Sequence, residues 1–397
     1  MKFDFVIMGA GIIGLTIAYK LKQKDKSFKI AIIDKESEAG LHASGRNSGV
    51  LHAGFYYTAD SLKAKFTRQG NQALKDYCHQ HGIPMCNNGK LVVAKNENDL
   101  PGLFELEKRG AHNKVNISLI DEKEAHDIEP KARTFQWALY SPTTSTVDPK
   151  LVCQQLTKDL KAQGVRFFFK APYVKRTINN GILAGTTEIF GKNYINTAGL
   201  YADKIARDFG VGKKYRILPF KGVYLESTDP GVGLRNNIYP VPNLNNPFLG
   251  VHFTVTPTGK VKIGPTAIPA FWRENYQGLD GFKPSEFFEI ILTQMKLFKE
   301  NSLNFRGLAF EEMRKFNSRY LKKLASKLIR DMDLCSFNHW GKPGIRAQLL
   351  EIETLSLVQD FVVEKEENSI HVLNAVSPAF TCSFPFAEWV IEQYVEA

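Results

Sequence analysis

The apolar run Phe3–Met8 shows no alternation with polar residues and predicts a short buried strand. Gly9-Ala10-Gly11-Ile12-Ile13-Gly14 follows, and then Leu15, Ala18, Tyr19 and Leu21 fall on or near one face of a helix predicted over 15–24. Residues 28–33 predict a second strand, closed by Asp34. A helical crossover makes this a β-α-β unit with a parallel strand pair. Residues 40–54, rich in Gly, Ser and His, read as a loop, and 61–81 as a helix ended by Gly82 and Pro84.

The β-α rhythm returns downstream. A strand is predicted over 90–94, and a helix over 149–163 with Asp148 as N-cap and Pro149 in the first position. A strand follows over 165–169. Tyr194–Asn196 precedes Thr197-Ala198-Gly199 and a short helix over 201–209. Residues 216–269 read as strand-rich. Their clearest piece is 249–256, with Leu249, Val251, Phe253 and Val255 on one face and Gly250, His252, Thr254 and Thr256 on the other. Pro257-Thr258-Gly259 turns the chain into 260–264, a hairpin. No internal repeat or long low-complexity linker is present.

Composition narrows the class. The 397 residues suit two interleaved domains, and 43% hydrophobic content sustains a sizeable core. Lys and Arg number 52 against 41 Asp and Glu, a net charge of +11 that favours anionic partners: nucleic acid, an anionic membrane surface, or small carboxylates and phosphates. Five widely spaced cysteines (Cys78, Cys86, Cys153, Cys335, Cys382) without a CxxC argue against a disulfide framework or structural zinc, and for reduced thiols in a cytoplasmic setting. No metal site is expected. The apolar stretch 5–19 carries regular glycines, and no run of 18 apolar residues predicts a membrane span.

The glycines are the strongest local signal. GxGxxG alone is weak. Here it lies between a strand and a helix, with Asp34 twenty residues after Gly14. Gly9 permits the tight turn, Gly11 lets backbone approach a pyrophosphate, and Gly14 lets helix and strand pack. The helix N-terminus offers free N–H groups and a favourable dipole to phosphate. Asp34 suits ribose hydroxyls and disfavours a 2′-phosphate. The fingerprint does not separate FAD from NAD.

Residues 44–57 (SGRNSGVLHAGFYY) with Ser61-Leu62-Lys63-Ala64-Lys65 closely resemble the L-2-hydroxyglutarate dehydrogenase/oxidase family, part of the FAD-dependent glycine oxidase and D-amino acid oxidase-like group. The likeness recurs at 237–242 (NIYPVP), 247–254 (PFLGVHFT), 344–348 (GIRAQ) and 372–375 (VLNA), and so spans nearly the whole chain. It implies a flavoprotein with FAD as cofactor, and with the thiol reading a cytoplasmic one, peripheral on the cytoplasmic membrane face where a quinone is the acceptor. The implied reaction is oxidation of L-2-hydroxyglutarate to 2-oxoglutarate by hydride transfer from C2 to flavin N5, with electrons passed to a quinone or oxygen. The implied FAD-binding residues are Gly9, Gly11, Gly14, Asp34, Ser44, Arg46, Asn47, Ser48, Thr197, Ala198, Gly199, Ser377 and Thr381. Departures from the family pattern fall at Thr266 in 264–267 (GPTA), at 340–343 (WGKP), and at Phe380, Cys382 and Phe384. They bear on the substrate side chain and the electron acceptor.

The implied fold is α/β: a Rossmann-like doubly wound FAD-binding domain from residues 1–80, 145–215 and 340–397, interleaved with an α+β substrate domain from 81–144 and 216–339 containing a mixed β-sheet. The chemistry needs a base for the hydroxyl proton, which suits histidine. His52 is the preferred base and His252 the substrate-orienting partner, with the roles exchangeable. Arg346 suits a carboxylate clamp. Tyr57, Tyr239, Lys63 and Thr254 complete the candidate substrate-binding set. Lys65 reads most simply as solvated, and Lys262 as a residue that sits over the flavin. Residues 314–330 hold seven Lys or Arg and no acid, with Met313, Phe316, Tyr320, Leu321, Leu324 and Leu328 at helical spacing. They predict a basic amphipathic helix whose functional reading is contact with anionic lipid. Two rival readings stand: an FAD-dependent amine or amino-acid oxidase of the same fold, and a basic nucleic-acid-binding protein with a vestigial nucleotide fold. The second lacks any recognised nucleic-acid motif.

Overall fold

A computed structural model of the chain describes residues 2–243 and 250–395. Leu249, with Pro247 and Phe248 of the 247–254 motif, lies outside the described residues.

The first predicted unit forms as expected. Strand Lys2–Met8 pairs in parallel with Ile30–Ile33 on one side and Thr187–Asn196 on the other. The parallel set continues outward to Arg166–Phe168 and to Ser369–Asn374. Antiparallel strands Tyr173–Arg176 and Ile182–Ala184 extend from Thr187–Asn196, and Val362–Glu366 pairs with Ser369–Asn374. Side chains alternate across this sheet. Phe5, Ile7, Ile30 and Ile32 pack against helices Ile12–Lys24, Pro149–Ala162 and Ala379–Tyr394. Val6, Met8, Ala31 and Ile33 pack on the other face with Ile182, Ile189, Ile205 and Phe209. Both faces are covered, which is why these strands read as unbroken apolar runs.

A second eight-stranded sheet is mixed. Its order is 337–340, 225–227, 261–264, 252–255, 237–240, 90–93, 137–141 and 118–121, with only the 237–240/90–93 pair parallel. The predicted hairpin pairs His252–Val255 antiparallel with Val261–Gly264, and Gly259 in the turn has φ +79°. Both faces of 252–255 are buried, so its polar side is interior rather than solvated. A shorter sheet runs Tyr215–Gly222 against Gly344–Glu351 over eight residue pairs. It carries Arg346 opposite Phe220.

The helix predicted through 314–330 is not continuous. One helix ends at Arg314, a second spans Ser318–Ala325, and a single 3-10 turn covers Ser326–Leu328. The side chain of Asn317 caps the second helix by accepting from the Arg319 N–H, a restart that helical spacing alone does not reveal. Lys315, counted among the basic residues, is buried and paired with Glu312. No helix among the described residues is long and apolar enough to cross a membrane.

Candidate active site

A cleft of about 690 Å³ opens beside the glycine turn and reaches the interior polar face of the mixed sheet. Gly9, Gly11, Asp34, Ser44, Arg46, Asn47, Ser48, Thr197, Ala198, Gly199, Ser377 and Thr381 all line it. Gly14 does not, and its position matches a packing role. A Cβ there would stand 2.1 Å from the Gly9 carbonyl oxygen and 2.7 Å from Thr197 Oγ1. Gly9 has φ +112°, the region open to glycine.

The turn has the features that a phosphate site needs. The N–H of Ile12, in the first turn of the helix, donates to Ser44 Oγ at 2.9 Å, and no acidic residue occupies that turn. Gly11 presents bare backbone to the cleft, and a Cβ there would lie 3.0 Å from Ser44 Oγ. Asp34 accepts from the Ala10 and Glu36 N–H groups at 2.7 and 2.9 Å, which fixes its carboxylate at the cleft wall. Arg46 does not present a free guanidinium. It donates to the Leu41 and Pro343 carbonyls at 2.7 and 3.2 Å and stacks 4.4 Å over Tyr276. Asn47 donates to Ser44 O and accepts from the Gly49 N–H, bracing the same loop. A cradle of bare backbone, a helix N-terminus and a fixed carboxylate along one elongated cleft fits an extended dinucleotide such as FAD.

His52, Tyr239, His252 and Arg346 line the remaining part of the cleft, joined by Tyr224 and Phe220. The His52 backbone N–H donates to Thr381 Oγ1 at 3.2 Å, tying this loop to the C-terminal helix. His252 stacks on Tyr239 with ring centroids 3.7 Å apart and planes 14° from parallel. Its Nδ1 lies 3.0 Å from the Gly250 carbonyl oxygen, a contact that needs the proton on Nδ1 and leaves Nε2 to accept. Neither His52 Nδ1 nor His252 Nε2 has a hydrogen-bond partner among the described residues. Burial, opposed by the Gly250 contact and reinforced by Lys90, holds His252 down at about 3. Burial, then Lys90, His252 and Arg346, lower His52 as well. Burial also lowers Arg346, which Tyr57 and Tyr224 partly offset.

Three predicted substrate contacts do not reach the cleft wall: Tyr57, Lys63 and Thr254. Lys63 is buried in the first turn of helix Leu62–Gln80, 5.9 Å from the Tyr57 ring, and burial with Arg346 nearby lowers it to about 8. Lys65 is exposed on the same helix. Lys262 pairs with Glu226 at 3.2 Å, and it does not line the cleft. Of the departures from the family pattern, Thr266 and Phe380 line the cleft. Cys382 is buried 3.4 Å from Thr67 Oγ1, and Phe384 packs on Tyr19 and Tyr77, both away from it.

The sequence reading passed over Lys90. It opens the strand predicted over 90–94, and it is fully buried with no hydrogen-bond partner among the described residues. The signal was present: a lysine entering an otherwise apolar buried strand directly after Gly89. It also passed over Arg273, fully buried and forked onto Asp203 at 2.7 and 2.9 Å.

Fold and cleft define a dinucleotide-binding protein of the doubly wound class. The family model "FAD dependent oxidoreductase" matches residues 4–393. The chain is 35% identical over 404 residues to the L-2-hydroxyglutarate dehydrogenase of Indibacter alkaliphilus, covering 99% of this chain and all of that protein. It is 34% identical over 416 residues to the mitochondrial L-2-hydroxyglutarate dehydrogenase of Homo sapiens, covering 99% and 88%. Among solved structures, the FAD-bound L-alpha-glycerophosphate oxidase of Mycoplasma pneumoniae superposes with a TM-score of 0.79 at 20% identity, covering 99% and 94%. Glycine oxidase of Geobacillus kaustophilus gives 0.71 at 16%, covering 98% and 94%. The chain belongs to the FAD dependent oxidoreductase family and, within it, to the L-2-hydroxyglutarate dehydrogenase family. It is an enzyme and its cofactor is FAD.

Proposed function

We propose that the enzyme oxidises L-2-hydroxyglutarate to 2-oxoglutarate. The observation that carries this reading is the meeting of two buried histidines with Arg346 on one cleft wall, where burial favours the neutral imidazoles. A 2-hydroxy dicarboxylate needs a base at its hydroxyl and a cation at its carboxylate, and this wall offers both. Full-length identity to dehydrogenases of that name supports the choice of acid.

Bound FAD supplies the acceptor for the hydride that leaves C2. The residues proposed to hold it are Gly9, Gly11, Asp34, Ser44, Ser48, Thr197, Ala198, Gly199, Ser377 and Thr381. Gly14, Arg46 and Asn47 shape the turn and loop behind them. His252 takes the role of base in this account, because its fixed tautomer leaves Nε2 as acceptor; His52 orients the substrate. This exchanges the roles expected from sequence. Arg346 clamps a carboxylate and Tyr239 keeps the His252 ring in plane. The domain division expected from sequence belongs to the same proposal. In its support, the parallel sheet draws no strand from 81–144 or 216–339, and the larger mixed sheet is built almost wholly from them.

Quinone or oxygen receives the electrons in turn. For a membrane quinone the contact face is better placed on helices Pro284–Glu300 and Phe305–Arg314 than on 314–330 alone. Phe288, Leu292, Met295, Phe310 and Met313 are all more than half exposed there, among exposed Lys296, Lys299, Arg306 and Arg314. Exposed Glu300 and Glu311 share this face, and the four cations outnumber them; apolar side chains with a net basic surround suit an anionic lipid surface.

Incubation of the holoenzyme with L-2-hydroxyglutarate and an artificial electron acceptor should give 2-oxoglutarate one for one with acceptor reduced. Turnover of glycine, proline or another amino acid in its place would transfer the assignment to an amine or amino-acid oxidase.

A further inference from the structure

Lys90 stands directly behind the histidine wall. Its Nζ lies 4.5 Å from the Tyr239 ring centroid, 4.7 Å from Tyr56 and 5.2 Å from Phe55, a cage of three aromatic faces. Tyr239 in turn stacks at 3.7 Å on His252. Lys90 is fully buried, and its cross-strand neighbours are Asn237 and Ser141, neither of which carries charge. It does not line the cleft.

The ionisable groups around this point come from every element packed there. The segment after His52 brings His52 itself, Tyr56 and Tyr57; strand 237–240 brings Tyr239; strand 252–255 brings His252; strand 344–351 brings Arg346. Tyr224 and Lys63 complete the set. The carboxylate coupled to this set is Asp360, which accepts from the Leu62 and Lys63 N–H groups and acts on Lys63 and Tyr57, not on Lys90 or either histidine. Aromatic faces stabilise an ammonium without neutralising it, so the field of Lys90 reaches the histidines uncancelled.

We propose that Lys90 is a positioning residue for proton transfer: its caged ammonium, acting across Tyr239, keeps His52 and His252 uncharged when a dicarboxylate enters the cleft. The need for such a residue follows from the substrate. Two carboxylates beside an imidazole favour its protonated form, and a protonated histidine accepts nothing. A cation on the far side of the ring opposes that pull. This inference rests on the reading of the histidines as the proton-accepting wall.

The same geometry sets the form of Lys90. Burial lowers it to about 7, so it gains its proton over the range in which the histidines would otherwise gain theirs. Beside the Arg346 guanidinium, the next proton goes to Lys90 rather than to a histidine.

The test is a titration of the FAD-loaded enzyme carrying 13C-labelled histidine, in the parent and in Lys90→Met and Lys90→Gln. In the parent, the His52 and His252 resonances should stay at their neutral positions down to about pH 5. In either variant burial still lowers both rings, and at least one should gain its proton about one unit or more above its parent value, as expected for a nearby charge at an effective dielectric of about 20. The acid limb of the flavin-reduction rate should move up by the same amount. A loss of rate at every pH without movement of that limb, or histidines that titrate identically in parent and variants, would overturn the proposal. Should both variants fail to fold, titration of 13C-lysine in the parent decides: a Lys90 resonance that titrates near 10 beside histidines near 6.5 also overturns it. The histidine titration needs no substrate. A parent enzyme that L-2-hydroxyglutarate fails to reduce therefore counts against the proposed function and leaves the Lys90 result standing.

Discussion

Two glycines of the fingerprint should fail in different ways when a single methyl group is added. At Gly14 the new Cβ would meet a backbone oxygen, Gly9 O, at 2.1 Å, and Ile7 Cγ2 at 3.2 Å. Neither the first strand nor the first helix can yield without moving the other. Overpacking costs about 1–3 kcal/mol, and a backbone partner places Gly14→Ala near ~3. At Gly11 the nearest atom is a side-chain oxygen, Ser44 Oγ, at 3.0 Å. Ser44 can turn away and give up its bond from the Ile12 N–H, a loss of about 1 kcal/mol or less. The methyl then stands where a pyrophosphate must approach. A steric penalty of about 1–3 kcal/mol at that point is a ~5–150-fold weaker FAD affinity. Apoprotein melting and FAD titration by quenching of flavin fluorescence separate the two effects. Gly14→Ala should lower the apoprotein melting temperature by several degrees. Gly11→Ala should melt near the parent and bind FAD weakly. A Gly11→Ala enzyme with parental FAD affinity refutes the placement of the phosphate at this turn, and a Gly14→Ala apoprotein that melts with the parent refutes the packing role of Gly14.

Other outcomes follow from the same geometry. Arg346→Lys should retain FAD and its visible spectrum. Loss of the guanidinium fork should weaken substrate binding by about 1.5–3 kcal/mol, or ~10–150-fold, read from the saturation of flavin reduction. Arg273→Met leaves a fully buried Asp203 with only Arg207 and the Ile217 N–H as partners and should destabilise the fold by about 3 kcal/mol in urea melts. Burial works to raise Asp203, but the Arg273 fork outweighs it and holds the carboxyl below 3.8. The stabilisation is therefore complete above about pH 4 and lost as pH falls through the depressed value, so the parent should lose more stability than Asp203→Asn on acidification. Anionic vesicles should bind the protein at low salt and release it at high salt. Phe288→Ser with Phe310→Ser should abolish that binding without changing flavin reduction, and indifference of binding to these changes would remove the lipid-facing surface.

Much of the fold was written in local pattern. The strand at 3–8, the glycine turn, the helix that follows and Asp34 are contiguous, and each obeys a short-range rule. The helix over 149–162 announces both of its ends: Asp148 accepts from the Lys150 N–H, and Gly164 follows with φ +80°. What resisted reading depends on contacts far apart in sequence. The break at Asn317 turns on a side-chain cap. The burial of Lys315 turns on Glu312 closing over it, and helical periodicity cannot separate that from a solvated lysine. His52 and His252 were visible because they lie in motifs. Lys90 was not, because its meaning comes only from residues 55, 56 and 239 gathering round it. Tyr57, Lys63 and Thr254 lie inside the same motifs but off the cleft wall: Thr254 shares a face with His252 and stands two residues further along the strand, opposite Lys262, a displacement that motif membership does not reveal.

The most direct measurement is anaerobic reduction of the bound flavin. The purified yellow enzyme, mixed without oxygen with L-2-hydroxyglutarate, should bleach rapidly at the long-wavelength flavin band. The D isomer, glycine and proline should leave the band unchanged. A flavin that stays oxidised with L-2-hydroxyglutarate, or that bleaches equally with either isomer, contradicts the assignment of a stereospecific 2-hydroxy-acid site to the His52–His252–Arg346 wall.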